Sequence, residues 1–149
     1  MNLNQVASEL TFIGSTIKSF KIDNNIVNLL NTKNSISMSL NLEKIEEVHH
    51  EDYIEQRGYL LLKLIVNVKD EEDKSLKCKL TTTIEGCFSS KMSDRERFEK
   101  MLYINGGTTL YSIARAQILN FSANVFANGK ILLPLINMIE FMQESEKKQ

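Results

Sequence analysis

Apolar and polar residues alternate in three stretches of the first half of the sequence, and this pattern constrains the fold more than any other feature. An alternation with period 2 and one polar face is typical of antiparallel strands that pack on one side only. The apolar positions are Ile36, Met38, Leu40 and Leu42; Leu60, Leu62, Leu64, Val66 and Val68; and Leu76, Cys78, Leu80, Thr82, Ile84 and Phe88. We therefore expect three long antiparallel strands.

A fourth strand is expected in LTFIGSTIKSFKI (10–22), where the alternation is less regular and Gly14 indicates a β-bulge. The Asn-rich stretch DNNIVNLLNTKN (23–34) is predicted to be a crossover segment or a short helical turn against the core. The charged stretch EKIEEVHHEDYIEQRG (43–58) is predicted to be the loop between the second and third strands.

The second half of the sequence changes to helical spacing. Ser93, followed three residues later by Glu96, matches a capping box at the start of a first helix. Gly129 is predicted to end a long second helix, and Pro134 to open a last one. Together with the strands, this order predicts an α+β fold. Its four-stranded antiparallel sheet is covered on one face by a long helix and a short C-terminal helix.

The long helix carries a single charged residue, Arg115, between positions 106 and 129. A helix that is apolar or small nearly all round should be covered on two sides, and the sheet supplies only one cover. We expect a second copy of the chain to supply the other, through an interface formed by Tyr111, Ser112, Arg115, Leu119, Ser122 and Phe126. The alternative is cover by the chain's own first strand and loops. Arg115 then needs a carboxylate or several carbonyls.

Length, charge and cysteine content exclude several classes of protein. The 149 residues fit one domain, 1–149, and a net charge of -1 predicts no nucleic-acid partner. Cys78 and Cys87 are expected on opposite faces of one strand, where they do not pair, which indicates a reducing compartment. The start, MNLNQVASELTF, lacks a signal-peptide pattern. The sequence also has no apolar run long enough to predict a membrane-spanning helix. We expect a cytoplasmic protein.

The stretch EEVHHEDY (46–53) is the one place that suggests metal or acid–base chemistry, because it sets His49 and His50 among carboxylates. Adjacent histidines in a strand or loop point apart, unlike two histidines four residues apart on a helix. No Gly-rich phosphate loop and no Ser/His/Asp spacing accompanies them. We therefore expect solvated loop charge, and a protein that is not an enzyme and needs neither metal nor cofactor.

Three short motifs resemble the SecB family of export chaperones: CKLTTTIEGCF, TTLYSIARAQI and ILLPLINMIEF. They look like the end of the family's fourth strand, the opening of its long helix and the entry to its final helix. The positions that carry the resemblance are Cys78, Gly86, Phe88, Leu110, Tyr111, Ala114, Arg115 and Pro134. The resemblance implies the family's fold over nearly the whole chain.

The chain also departs from the family pattern. Ser112 stands where the family has a proline, Ala116 where it has an acidic residue, and VFANGKI replaces a Gly-x-Phe-Pro element. SecB proteins are strongly acidic and dock the translocase motor ATPase SecA on their outer sheet face. That face carries here Lys63, Lys69, Lys77 and Lys79 against Glu43 and Glu85. The resemblance thus implies SecA as a partner, whereas the lysines on this face would repel the basic surface that an acidic face attracts.

The resemblance implies an ATP-independent chaperone that holds non-native or precursor polypeptides in apolar grooves of an oligomer, a dimer of dimers, with a role in protein export. Such a chaperone needs exposed apolar surface, which other soluble proteins rarely have. The six methionines have flexible side chains that adapt to different clients. The candidate groove residues, for which core packing is the alternative, are Ile26, Val27, Leu29, Leu30, Ile136, Met138, Ile139, Phe141 and Met142.

Two other functions stay open at this point. One is a dedicated chaperone of a single partner such as a labile antitoxin, as SecB-like proteins beside toxin–antitoxin pairs are thought to be. The other is a scaffold protein of the same fold whose groove is filled. Neither the client nor the choice between dimer and tetramer follows from the sequence.

Overall fold

The structure, a computed structural model, describes residues 9–147 apart from the side chain at position 146. The first eight residues, where we expect no signal peptide, lie outside the described residues, so that expectation stays a prediction. The elements are β1 (Thr11–Asn24), β2 (Thr32–His49), β3 (Ile54–Asp70), β4 (Leu76–Ser90), α1 (Arg95–Met101), a π-helical turn (Leu102–Gly106), α2 (Gly107–Val125) and α3 (Met138–Glu146). The expected α+β architecture is confirmed.

The four strands form one antiparallel sheet in the order β1–β4–β3–β2. In the central strands β3 and β4, every second side chain is buried under the helices, while the residues between them face outward. The period-2 pattern therefore identified the covered face correctly. The inward side chains of these strands form most of the sheet's share of the core: Leu60, Leu62, Leu64, Val66, Val68, Cys78, Leu80, Ile84 and Phe88.

The stretch 43–58 is not the loop that the sequence predicted. β2 continues to His49 and β3 begins at Ile54, so only a short turn separates them. The reason is a register shift between Leu42 and Lys44, which moves the inward side chains of β2 from even to odd positions. Because the shift interrupts the alternation of apolar and polar residues, the rest of β2 has no regular strand pattern in the sequence.

Two other expectations for the strands hold. A register shift between Phe12 and Gly14 confirms the β-bulge. Residues 25–31 form a crossover without helix that connects β1 and β2 from opposite edges of the sheet. Cys78 is buried under the helices and Cys87 is half-buried on the outer face, so their expected placement on opposite faces is confirmed.

The helices begin at other residues than the sequence predicted. Asp94, not Ser93, is the N-cap of α1, and its Oδ1 accepts a hydrogen bond from the Arg97 amide at 3.0 Å. Aspartate caps a helix as well as serine does, so residue type alone does not distinguish position 94 from position 93. Pro134 does not open the last helix either. α3 begins four residues later, at Met138, because Asn137 caps it.

Helix α2 lies over β3 and β4 and ends at Val125. Gly129, with φ +82°, lies beyond the helix and turns the chain in a conformation that favours glycine. The segment that follows α2, residues 126–137, has neither helix nor strand and leads to α3; we call it the α2–α3 connection. None of the described helices has both the length and the apolarity that spanning a membrane requires.

Candidate functional site

An apolar groove of about 390 Å³ opens between the edge strand β2 and helix α3. Its apolar side chains are half-buried, so they are in place yet still reachable from solvent. None of the lining residues carries a charge, and two of them are methionines, whose flexible thioethers adapt to different partners. The lining residues of this β2–α3 groove are Met38, Ser39, Leu40, Asn41, Tyr103, Phe141, Met142 and Ser145.

The wall formed by α3 is held in place at its first turn. The Asn137 side chain accepts hydrogen bonds from the amides of Ile139 and Glu140, at 3.1 and 3.5 Å. Met138 is buried next to Gly107 at the start of α2. A Cβ atom at Gly107 would lie 2.7 Å from Leu40 Cδ2, so a larger residue here would require the Leu40 side chain to move. Together these contacts fix the distance between α3 and β2.

The opposite wall is the free edge of the sheet. No described strand pairs with β2 on the side away from β3. In an antiparallel strand every second residue directs its N–H and C=O away from its partner, so β2 presents unpaired backbone groups along the groove. The groove therefore offers apolar contacts and backbone hydrogen-bonding groups side by side.

The α2–α3 connection, not a second copy, covers part of the outer side of α2. The Ile131 amide donates to Ser122 Oγ at 2.8 Å, and Tyr111 Oη donates to the Pro134 carbonyl at 2.7 Å. Ile131 and Leu133, which belong to this connection, are fully buried. This is the cover by the chain's own loops that was the alternative to a subunit interface.

Three of the six predicted interface residues are therefore corrected. Tyr111, Ser122 and Phe126 are buried within the chain, so their side chains are not available to a partner. The α2–α3 connection lies on Tyr111 and Ser122, and Phe126 is the first residue of that connection. The other three stay reachable: Ser112 is exposed, and Arg115 and Leu119 are half-buried.

Arg115 satisfies its need for an acceptor inside the chain. Its Nε donates to the Leu133 carbonyl at 2.7 Å, so a backbone carbonyl takes the place of the carboxylate that we considered. Ser112 Oγ donates to the Thr108 carbonyl of its own helix at 2.9 Å. As an exposed residue it remains consistent with an interface, which stays a prediction.

The structure does not bring the predicted groove residues together. The crossover residues Ile26, Val27, Leu29 and Leu30 lie at the C-terminal end of α2, where the Ala127 amide donates to the Val27 carbonyl at 2.8 Å. The α3 residues lie beside its N-terminal end. Because α2 has 19 residues, the two groups are separated by roughly 28 Å.

Within each group, burial divides the candidates. Val27 and Leu30 are 74% and 63% exposed, whereas Ile26 and Leu29 pack against the core. On the α3 side, Ile139 is 51% exposed, Phe141 and Met142 line the groove, and Ile136 packs against the core. Met138 is only 3% exposed, so its assignment to the groove is corrected: it belongs to the core.

Sequence reasoning missed the β2 side of the groove. Met38 and Leu40 were recognised as inward residues of a strand, and Tyr103 falls in the π-helical turn. The alternation in the sequence shows which face these side chains occupy. It does not show that β2 is an edge strand, which leaves its inward residues partly uncovered.

A second uncovered apolar strip lies on the other edge of the sheet, on the helix side of β1. Phe20 packs edge-on against Phe121 of α2, with ring centroids 5.5 Å apart. Its neighbours Phe12, Ile17 and Ile22 face the same way and are exposed, because α2 does not extend over this edge. We call these three residues the β1 strip.

At one end of the outer sheet face the charges are tightly paired. Hydrogen bonds from Arg57 and His50 lower the pKa of Glu55 to about 2. The acceptor Glu46 raises the pKa of Tyr59, whose hydroxyl donates to its Oε1 at 2.8 Å. Both interactions stabilise the ionised carboxylates.

The two histidines lie in this region and point to different partners. His50 stacks on Tyr53 and lies 2.9 Å from Glu55, while His49 lies 3.9 Å from Glu47. Over residues 9–147 as described, no three His, Cys, Asp or Glu side chains are grouped so that they would hold a metal ion.

Comparison with known proteins relates this geometry to one fold. No family model and no curated protein matches the sequence. Among solved structures, the chain is similar to the Mycobacterium tuberculosis Rv1957 SecB-like chaperone in complex with a ChAD peptide from the Rv1956 HigA1 antitoxin. The TM-score is 0.58 with 8% sequence identity, over 85% of this chain and 90% of that chain. The chain therefore has a SecB-like fold.

Proposed function

We propose that this protein is an ATP-independent chaperone that holds non-native polypeptide segments in the β2–α3 groove. The observation that carries the proposal is an uncharged, thioether- and aromatic-lined groove that stays open to solvent beside a free strand edge. Monomeric soluble proteins seldom leave such a surface uncovered without using it. The SecB-like fold supports the same function, since a solved protein with this fold is described as a chaperone.

The groove would recognise apolar side chains on an extended segment. Burying one leucine or phenylalanine side chain contributes about 1.5–3 kcal/mol, and a groove of about 390 Å³ accommodates a few such side chains. The unpaired backbone groups of β2 would add hydrogen bonds that do not depend on the client's sequence. Such binding needs no ATP and selects for exposed apolar residues rather than for one motif.

Loss of the groove surface tests this proposal. We expect the variant Phe141→Ser/Met142→Ser to lose most of its ability to suppress aggregation of a reduced, unfolded model protein, measured by light scattering. The variant Val27→Ser/Leu30→Ser serves as the matched control, because it removes equally apolar side chains from the crossover at the other end of α2. Far-UV circular dichroism checks that both variants fold.

The two variants separate the possible outcomes. A loss confined to the crossover variant would move the binding site to that end of the molecule. No suppression by the wild-type chain at several-fold molar excess would favour a scaffold protein of this fold over a chaperone.

A chaperone dedicated to one partner is the second candidate. It is favoured by the solved SecB-like chaperone, which holds a peptide from an antitoxin. The outer face also lacks the acidic character that docking of SecA would need, which speaks against a general role in export. Co-expression with the products of neighbouring genes distinguishes the two: a dedicated chaperone stabilises one labile neighbour and no model precursor.

We further propose that a second copy of the chain covers the β1 strip. Phe12, Ile17 and Ile22 are exposed on the helix side of the edge strand β1, and Ser112 is exposed on α2. Solution mass from multi-angle light scattering should therefore exceed that of one chain, and Ile17→Lys/Ile22→Lys should lower it. Ile54→Lys, at an equally exposed isoleucine outside the strip, should leave the mass unchanged.

A further inference from the structure

The outer face of the sheet, opposite the helices, is divided into a half whose charges are paired and a half in which most lysines are unpaired, with the pair Lys77–Asp70 at its end. In the paired half each cation lies close to a carboxylate: Lys18 to Glu85 at 3.0 Å, Lys44 to Glu46 at 2.9 Å, and Arg57 to Glu55 at 3.1 Å. The other half carries five exposed lysines, none within 4.0 Å of a carboxylate among the described residues. These are Lys21, Lys33, Lys63, Lys69 and Lys79. We call this half the lysine face.

The strand register places these lysines on one flat surface. Lys33 and Lys69 are direct cross-strand partners on β2 and β3. Lys63 lies six residues before Lys69 on the same strand, a span of roughly 20 Å. Two carboxylates border this surface: Asp23 lies opposite Lys79, and Asp70 lies 3.9 Å from the half-buried Lys77. The outward residues between the lysines are serine, threonine and asparagine, apart from Ile65.

Folding alone does not account for this arrangement. Lysines on edge strands protect a sheet from pairing with another chain, which explains Lys21 on β1 and Lys33 on β2. Lys63, Lys69 and Lys79 lie on the central strands, where there is no edge to protect. Like charges directly opposite each other destabilise a sheet, as for Lys33 and Lys69. The paired half shows that this chain has the acidic residues to neutralise a face.

We propose that the lysine face docks an acidic polypeptide surface. The complementary charge would be carboxylates, and the hydroxyl and amide side chains between the lysines would hydrogen-bond with the same partner. A nucleic acid fits less well, since the lysine face has no aromatic side chain on which a base could stack.

This docking surface and the β2–α3 groove lie on opposite faces of the sheet. A partner on the lysine face therefore does not compete with a segment in the groove. Docking on this face does not depend on the proposed chaperone activity, and each is tested separately.

The test uses the full chain and a fluorescein-labelled 20-residue peptide of alternating glutamate and serine, with binding measured by fluorescence anisotropy at 25 and 150 mM NaCl. Exposed charge pairs are weak and screened by salt. We therefore expect measurable binding at low salt that weakens at high salt. The variant Lys63→Thr/Lys79→Thr should weaken binding about fivefold to tenfold. The control Lys18→Thr/Lys44→Thr changes the net charge equally in the paired half and should weaken it less than about twofold.

Three results would overturn this assignment: no binding of the glutamate–serine peptide at low salt, equal losses in both double variants, or tighter binding of a 20-nucleotide single-stranded DNA than of the peptide. Equal losses would mean that net charge alone attracts the peptide. Circular dichroism and unchanged aggregation suppression by the same variants keep a failure of docking distinct from a failure of the groove.

Discussion

Arg115 and Leu133 are joined by a hydrogen bond of 2.7 Å from the guanidinium Nε to a backbone carbonyl. Leu133 is buried, so water cannot reach its carbonyl as an alternative hydrogen-bond donor. The only charge of a long apolar helix therefore ties the α2–α3 connection to α2, and through it positions α3 beside β2. A residue that the sequence pointed to as a subunit contact serves the chain's own tertiary structure.

Arg115→Met should lower the free energy of unfolding by about 1–3 kcal/mol, because methionine keeps the apolar stem but leaves the Leu133 carbonyl unpaired. Urea denaturation followed by circular dichroism measures the change. Arg97→Met is the control, because Arg97 makes an exposed ion pair with Glu9 at 2.9 Å. This substitution should lower the free energy of unfolding by less than about 1 kcal/mol. Equal losses in the two variants would contradict a structural role for Arg115.

Ser122→Ala should destabilise the protein by about 1–3 kcal/mol, because the buried Ile131 amide loses its acceptor. Ser112→Ala provides a matched comparison in the same helix. The Ser112 hydroxyl is exposed and bonds only to its own helix, so the change should stay within about 0.5 kcal/mol. The urea midpoints of the two variants measure these changes. A midpoint for Ser122→Ala equal to that of the wild type would show that the hydrogen bond between Ile131 and Ser122 does not stabilise the fold.

Gly86→Ala should lower stability by about 1–3 kcal/mol through overpacking, since a Cβ there would lie 2.6 Å from Leu110 and 2.9 Å from Phe88. This glycine lets α2 lie close to β4. Gly14→Ala is the control: a Cβ at Gly14 meets nothing within 4 Å, and thermal unfolding should show a melting temperature near that of the wild type. A larger loss for Gly14→Ala than for Gly86→Ala would be inconsistent with this packing.

Glu55 should make stability depend on acidic pH. Its pKa is about 2 in the folded chain, below the ordinary value of 4.5 for a glutamate, so folding favours the ionised form. This contribution is present above pH 4.5 and is lost as the pH falls toward 2. Glu55→Gln should therefore show a smaller drop in urea midpoint between pH 6 and pH 2.5 than the wild type.

The control for this pH dependence is Glu51→Gln, at an exposed carboxylate of the neighbouring turn that forms no ion pair with any described residue. It should follow the wild-type curve. A Glu55→Gln curve that also follows the wild type would show that the hydrogen bonds from Arg57 and His50 do not stabilise the folded state.

Two of the eight residues that line the candidate groove, both on α3, were predicted from the sequence. Phe141 and Met142 were identified because they are apolar residues on a short terminal helix, where cover is incomplete. Met38 and Leu40 were not identified, because their exposure follows from strand order. The sequence pattern of an edge strand and of a central strand is the same when only one face is covered.

The sequence by itself determined that the chain has four strands, which face of the sheet is covered, and that α2 needs cover on more than one side. These follow from local periodicity, since a residue's spacing along a strand or helix sets the direction of its side chain. Only the tertiary structure decided what covers α2. Ile131 and Leu133 lie on it because Ser122 and Arg115 bind the backbone of that connection, and a period in the sequence carries no information about such pairs.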